Sequence, residues 1–290
     1  MYKSQTLDNI RQKIDSIDSS IHDLLMERAA LASSIAAEKR KRGMPVVHPA
    51  REARMVRRLL SRHKGDLPKQ AVTRIWRELV SAVSMLQSGL TAQFYSHQGR
   101  GDDLKIVTDY FGSILPVRRG GSITSVINAV ATQTTDFAII PKTVNEEGQQ
   151  YWLPALLQAL DDDVATDGVM PISIVQSMPF ITLSADQDKA DGQYLIVART
   201  YFDSSEDDFS YIALRGTQPF NEADMRQAIQ ESALHVVEST DYAQDGAYYR
   251  LLRVDGFVDR SAASVAKLQD LLGAVHSVYA IGGYPKPIYV

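Results

Sequence analysis

Leu7 to Arg40 reads LDNIRQKIDSIDSSIHDLLMERAALASSIAAEKR, and its apolar residues Ile10, Ile14, Ile17, Ile21, Leu24, Leu31 and Ile35 recur at the spacing of one helical seam. Arg28 fills the step between Leu24 and Leu31, so a cation stands where an apolar residue belongs. Lys39 follows eleven residues later, within roughly 20° of the same face and about 16 Å along the axis. A guanidinium buried without a partner is costly, so a negative group is expected to meet it. Two long cationic side chains facing each other across that gap fit a small dianion. The same pattern also fits a polar residue that fixes register in a helical pair, and the seam alone leaves both readings open.

The helix has N-cap candidates in Ser4 and Thr6, carries Asp8 in its first turn, and runs to Gly43, where Pro45 forces an extended connection. That is about 38 residues, or nearly 60 Å, too long for a compact monomer, and it is expected to pack against a second copy of itself. Pro49 then opens a second helix whose apolar face is Met55, Val56, Leu59 and Leu60. Gly65 to Pro68 makes a turn into a third helix with the stripe Val72, Ile75, Trp76, Leu79, Val80 and Val83. Gln87, the next position on that stripe, puts a second polar group on a core face.

Composition narrows the chemistry. The chain has 290 residues, enough for two or three domains, and 44% hydrophobic with 23% charged residues is the balance of a globular protein. A formal charge of −4 argues against a nucleic-acid partner. With no cysteine there is no disulfide, thiol nucleophile or thiolate metal site. The histidines are scattered without metal-ligand spacing. No signal core or apolar run of about 18 residues is present, so no membrane is expected and the location is expected to be cytoplasmic.

After Gly89 the pattern becomes that of an α/β domain. Leu104 to Val107 opens it, Ser122 to Ala131 reads as a helix, DFAIIP (Asp136 to Pro141) as a buried strand, Trp152 to Leu160 as a helix, and Ile172 to Val175 and Tyr194 to Ala198 as strands. The acidic run Asp203 to Asp208 reads as a linker or exposed turn. From Phe209 the order is strand, helix, strand, strand, helix, strand, a βαββαβ unit.

The first segment resembles the all-helical chorismate mutases. The matching stretches are LDNIRQKIDSID around Arg11, LLMERAAL around Arg28, the Lys39 position, Arg51-Glu52 in PAREARMV, and Gln87 in SAVSMLQ. The resemblance implies a three-helix fold, an intertwined homodimer, and a pericyclic rearrangement of chorismate to prephenate without a cofactor. It implies that Arg28 and Arg11 take the substrate carboxylates and that Lys39 and Gln87 donate to the breaking ether oxygen. Glu52 would accept from the substrate hydroxyl, and Arg51 would add positive potential. That division suits a reaction needing only positioning and charge stabilisation. Arg11 lies about 25 Å from Arg28 and roughly 100° around the same helix, so it can join that site only from the other protomer. His48 and Val83 depart from the family pattern, which commonly has an acidic residue and a small hydroxyl residue there.

The remainder resembles, more weakly, the tail of bifunctional chorismate mutase/prephenate dehydratases. Tyr95-Ser96-His97 and DFAIIP are similar to parts of the dehydratase domain, but Lys142-Thr143-Val144 stands for its Glu-Asn-Ser and Gly192-Gln193-Tyr194 for its Thr-Arg-Phe. The βαββαβ unit resembles an ACT domain: Glu238-Ser239 matches the start of a Glu-Ser-Arg-Pro motif, which makes these two residues candidates for binding an amino-acid effector. The expected architecture is therefore multidomain. It comprises an all-α mutase domain over 1–90, a degenerate dehydratase-like α/β domain over 93–203 and an ACT-like domain over 208–290. Two other readings remain open: an isochorismate pyruvate-lyase, which uses a similar helical fold and cationic site, and a non-enzymatic, amino-acid-responsive scaffold. Arg51 and Glu52 favour the mutase.

Overall fold

The structure, a computed structural model of the single chain, describes residues 7–42, 48–96, 103–142, 151–164, 170–182 and 193–290. Helix α1 (Leu7–Lys41) is one uninterrupted rod of 35 residues. The expected caps at Ser4 and Thr6 and the stop at Gly43 to Pro45 lie outside the described residues. Helix α2 (Pro49–Arg62) starts on its proline, whose missing N–H costs nothing in a first turn, and buries Ala50, Ala53 and Val56. Helix α3 (Lys69–Ser88) packs on α1 and α2. Its expected stripe is not uniformly covered: Val72 and Val83 are buried, while Ile75 is 51% exposed.

The α/β part follows in chain order as β1 (Ala92–Phe94), α4 (Asp103–Phe111), β2 (Val117–Arg119), α5 (Ile123–Ala131), β3 (Phe137–Pro141), α6 (Trp152–Val164), β4 (Ile172–Met178), β5 (Ile181–Thr182) and β6 (Tyr194–Arg199). Next come β7 (Asp208–Gly216), α7 (Glu222–Ser232), β8 (Val236–Gln244), β9 (Ala247–Asp255), α8 (Ala263–Leu272), β10 (His276–Pro285) and β11 (Ile288–Tyr289). The βαββαβ order from β7 to β10 is as expected. Leu104–Val107, which opens the α/β pattern in the sequence, lies inside helix α4. A four-residue run cannot distinguish the two periods, and the structure uses the helical one: Val107 and Phe111, one turn apart, are buried together against the sheet.

Nine strands form one continuous sheet in the order β2-β1-β3-β6-β4-β10-β7-β9-β8, while β5 and β11 make a separate two-stranded ribbon. The two halves of the sheet meet where β10 pairs with β4 at Gly282 and Ile174. Gly282 has φ +105, and a Cβ there would sit 2.2 Å from the Ile174 carbonyl oxygen, so only glycine allows the strands to close. Alternate side chains fill opposite faces. One core runs across both halves, from α5 and α6 through Ala138, Ile140 and Leu195 to Tyr211, Leu251 and Ile281. On the other face, α4 covers Ile139, Val175 and Ile196, and α7 and α8 cover Ile212, Leu214 and Leu252.

Hydrogen bonds from α2 and α3 help hold the helical unit against this sheet. Arg57 of α2 donates to the carbonyls of Ser205 (2.9 Å), Asp207 (2.9 Å) and Lys286 (3.2 Å). On α3, Ser81 donates to the Phe111 carbonyl and Glu78 accepts from the Ser113 backbone at 3.2 Å. The acidic run proves to be a tied turn, because the buried Asp208 carboxylate accepts from the Ser205 N–H at 2.8 Å and from the Ser204 hydroxyl at 3.1 Å.

Candidate active site

An open cavity of about 710 Å³ lies between α1, α2 and α3. Helix α1 contributes Arg28 and Lys39, α2 contributes Arg51 and Glu52, and α3 closes the back with Val80, Val83 and Ser84. The eleven-residue interval places Arg28 and Lys39 on the same wall. Nη1 of Arg28 is buried and has no hydrogen-bond partner among the described residues. Burial holds the Arg28 guanidinium below its ordinary value, Arg51 lowers it further, and Glu52 partly offsets both. Lys39 is lowered by the same causes in the same order. The cavity is thus a place where positive charge is crowded and desolvated, and an incoming anion relieves both costs.

Glu52 lies at the floor with its side chain 16% exposed, in an ion pair of 2.8 Å with Arg77, which is 7% exposed. Burial pushes the Glu52 carboxyl up, against the pull of Arg77 first and then of Arg28 and Lys39. It remains an acceptor surrounded by cations. His48 and Val83, the two departures from the family pattern, both line the cavity, and His48 faces Asp203 at 3.8 Å.

Of the six residues expected in the mutase site, four come together here: Arg28, Lys39, Arg51 and Glu52. Arg11 does not join them within one chain. Its side chain is 67% exposed and lies 3.6 Å from Asp8 on the surface of α1. Gln87 is on α3, but its side chain falls outside the described residues. Glu238 and Ser239 lie apart from this cavity on β8, where Glu238 pairs with Arg253 at 3.0 Å across to β9.

Two residues at the cavity were not expected. Arg77 sits on α3 beside Trp76 and reads as a solvated helix charge, because its partner is 25 positions away in sequence. Glu206, from the turn before β7, lines the same cavity as Arg51, Arg54 and Arg58. No signal in the sequence joins it to α2. Among the described residues, no group of three or more His, Asp or Glu side chains is placed to hold a metal ion.

In the dehydratase-like half, the backbone N–H of Lys142 donates to the Gln193 carbonyl at 2.9 Å, so the two departures from the dehydratase motifs are neighbours. Thr143, Val144 and Gly192, like His97, lie outside the described residues.

Residues 10–88 match the family described as chorismate mutase type II. The bifunctional chorismate mutase/prephenate dehydratase of Aquifex aeolicus is 29% identical over 181 residues, covering 59% of this chain and 48% of that protein. The enzyme of the same description from Neisseria gonorrhoeae is 32% identical over 149 residues, 50% of this chain and 40% of that protein. A chorismate mutase of Methanocaldococcus jannaschii is 38% identical over 65 residues, 21% of this chain and 66% of that protein. The chain spans about half or less of the length of the two bifunctional relatives. Among solved structures, a prephenate dehydratase from Arthrobacter aurescens in complex with L-Phe aligns with a TM-score of 0.46 at 12% identity, covering 68% of this chain and 90% of that one. A quorum-quenching acylase, GqqA, aligns at 0.45 and 15%, covering 67% and 94%. Likenesses at that level do not specify a reaction. The chain carries a chorismate mutase type II domain over residues 10–88 and is a relative of the bifunctional chorismate mutase/prephenate dehydratases.

Proposed function

We propose that the protein is a chorismate mutase that works as a homodimer with sites shared between protomers. The observation that carries this reading is the buried, unpartnered Nη1 of Arg28 in a cavity it shares with Lys39, Arg51 and Glu52. Chorismate is a dicarboxylate that must fold into a chair-like transition state in which negative charge grows on the breaking ether oxygen. Arg28 holds a carboxylate through a planar fork, Lys39 donates to the ether oxygen, and Glu52 accepts from the ring hydroxyl. Gln87 is the second donor to the ether oxygen, and Arg51 raises the potential. No proton transfer, nucleophile or cofactor is required. The isochorismate pyruvate-lyase reading would use the same cations, but it gives no role to a buried acceptor such as Glu52.

The dimer is supported by the face that α1 leaves uncovered. Ile14, Ile17, Ile21 and Leu31 of its apolar seam are 51%, 50%, 49% and 60% exposed. A stripe of that length in water marks an interaction surface, and a second α1 laid along it brings an Arg11 toward each cavity. The C-terminal βαββαβ unit is proposed as an ACT-like sensor. Its β8 is an edge strand, where Ser239 is exposed and open to pairing with another copy, so an amino-acid effector would bind near Glu238 and Ser239 between paired units.

Purified protein should consume chorismate, followed as loss of its absorbance, and accumulate prephenate with no phenylpyruvate, because the dehydratase motif positions hold Lys142 and Gln193. Pyruvate release from isochorismate would favour the lyase, and no turnover of either compound would leave the scaffold. Repeating the assay with each common amino acid at millimolar concentration tests the sensor. A real effector shifts the rate or the melting temperature, and Glu238→Ala weakens that shift.

A further inference from the structure

Behind Glu52 the polar contacts continue out of the helical unit. The Arg77 guanidinium that pairs with Glu52 lies 4.1 Å from the centre of the Tyr110 ring and 5.0 Å from that of Phe180. Tyr110 belongs to α4 and Phe180 follows β4, so both stacking partners come from the α/β half. Burial pushes the Tyr110 hydroxyl up, while Arg77 and a hydrogen bond with Gln176 of β4 pull it down. Gln176 is fully buried, an unusual place for an amide, in a strand all of whose residues are buried. Arg77, Tyr110 and Gln176 share a cavity of about 40 Å³ with Glu52, which also lines the larger one.

A buried carboxylate facing several cations can turn toward any of them, and an arginine clamped between two rings allows fewer arrangements. We propose that Arg77 is a positioning residue for Glu52, and that the α/β half completes the mutase site by clamping Arg77 between Tyr110 and Phe180. The inference rests on the mutase reading of the large cavity and gives the dehydratase-like half a task other than dehydration. Glu52 faces Arg77 from α3, Arg28 and Lys39 from α1, its neighbour Arg51, and Tyr110 from α4. Arg77 exerts the largest pull on it toward the ionised form. Without Arg77, burial dominates, the carboxyl takes up a proton at higher pH, and it can no longer accept from the substrate hydroxyl at neutral pH.

The test uses the full chain and two readouts. In chorismate turnover, Arg77→Met should lower kcat by about tenfold or more at neutral pH, with a smaller change in KM, and should move the acid limb of the pH profile upward. Tyr110→Leu should move both quantities the same way by less. In a Glu52→Gln background, Arg77→Met should change kcat less than about twofold, because its effect is exerted through Glu52. Carbon NMR of the Glu52 carboxyl, assigned by its loss in Glu52→Gln, should show the same upward shift whether or not the protein turns over chorismate. An inactive wild type would therefore refute the mutase reading while the titration still decided the role of Arg77. If Arg77→Met does not fold, Arg77→Lys keeps the charge without the fork and should show an intermediate shift. An unchanged acid limb and carboxyl titration in a folded Arg77 variant, or an equal loss of kcat in the Glu52→Gln background, would overturn the proposal.

Discussion

Arg28 and Arg199 are both largely withdrawn from solvent, and the protein treats them in opposite ways. Arg199, at the end of β6, is 13% exposed and spends all five of its N–H donors. Its Nε donates to Ala131 at 3.0 Å, Nη1 to Asp163 at 3.0 Å and Met170 at 2.8 Å, and Nη2 to Ala131 and Asp163 at 2.6 Å each. Arg250 of β9 is similarly surrounded by Asp241 and Glu222. Arg28 keeps a buried nitrogen without a partner in an open cavity, beside Lys39 and Arg51. Cations in the α/β half are neutralised in place and tie loops to strands. Arg28 keeps a buried donor uncompensated, a cost to folding that an arriving anion removes.

The difference predicts two kinds of mutational loss. Arg28→Ala should lower mutase turnover at least about a hundredfold, since an ionic donor in a desolvated site is worth roughly 3 kcal/mol, while the melting temperature stays the same or rises. Near-normal turnover in a folded Arg28→Ala protein would break the comparison. Mixing it with Arg11→Ala chains sharpens the point: heterodimers carry one intact and one doubly damaged site, so activity should return to about a quarter of wild type after random exchange. Arg199→Met should do the reverse, destabilising the fold by about 3 kcal/mol by leaving Asp163 buried and unpaired, with kcat for chorismate little changed below the melting transition. Chemical denaturation and turnover on the same sample would measure both. The smallest effect belongs to Glu206, an exposed acidic residue that lines the same cavity as the cations. Glu206→Gln should lower the KM for the dianion about twofold to threefold at low salt and by less at high salt, as for any screened surface charge.

The helical half was legible because its information is local. A 3.5-residue seam with one arginine in it, and Lys39 eleven residues on, give the face and the charge without knowledge of the tertiary fold. Arg51 and Glu52 added themselves only through resemblance, since a charged pair in the first turn of a helix has an ordinary explanation. What escaped depends on contacts between distant parts. Arg77 gains its role from Glu52, Tyr110 and Phe180, none of them within a helical turn of it. Glu206 lies in an acidic run that looks like a solvated turn and becomes part of a cavity only because Arg57 ties that turn to α2. The pairing of β4 with β10 joins positions 174 and 282, and no periodicity announces it. Leu104 to Val107 could not be typed for another reason: four residues are too few to separate a period of 3.6 from one of 2.

The single point where β10 meets β4 also sets an order of events for the growing chain. Helices α1 to α3 need only neighbours in sequence and can form as soon as they leave the ribosome. The strands made before residue 200 can pair with one another, but β4 must wait for its second neighbour, because it is flanked on one side by β6 and on the other by a strand that does not exist until about a hundred residues later. Until then β4 presents an unpaired edge rich in Ile and Val, and Arg57 lacks the Lys286 carbonyl that helps seat α2. An apolar seam on α1 able to find a second nascent copy early, and a sheet that closes late, would make assembly precede completion of the fold.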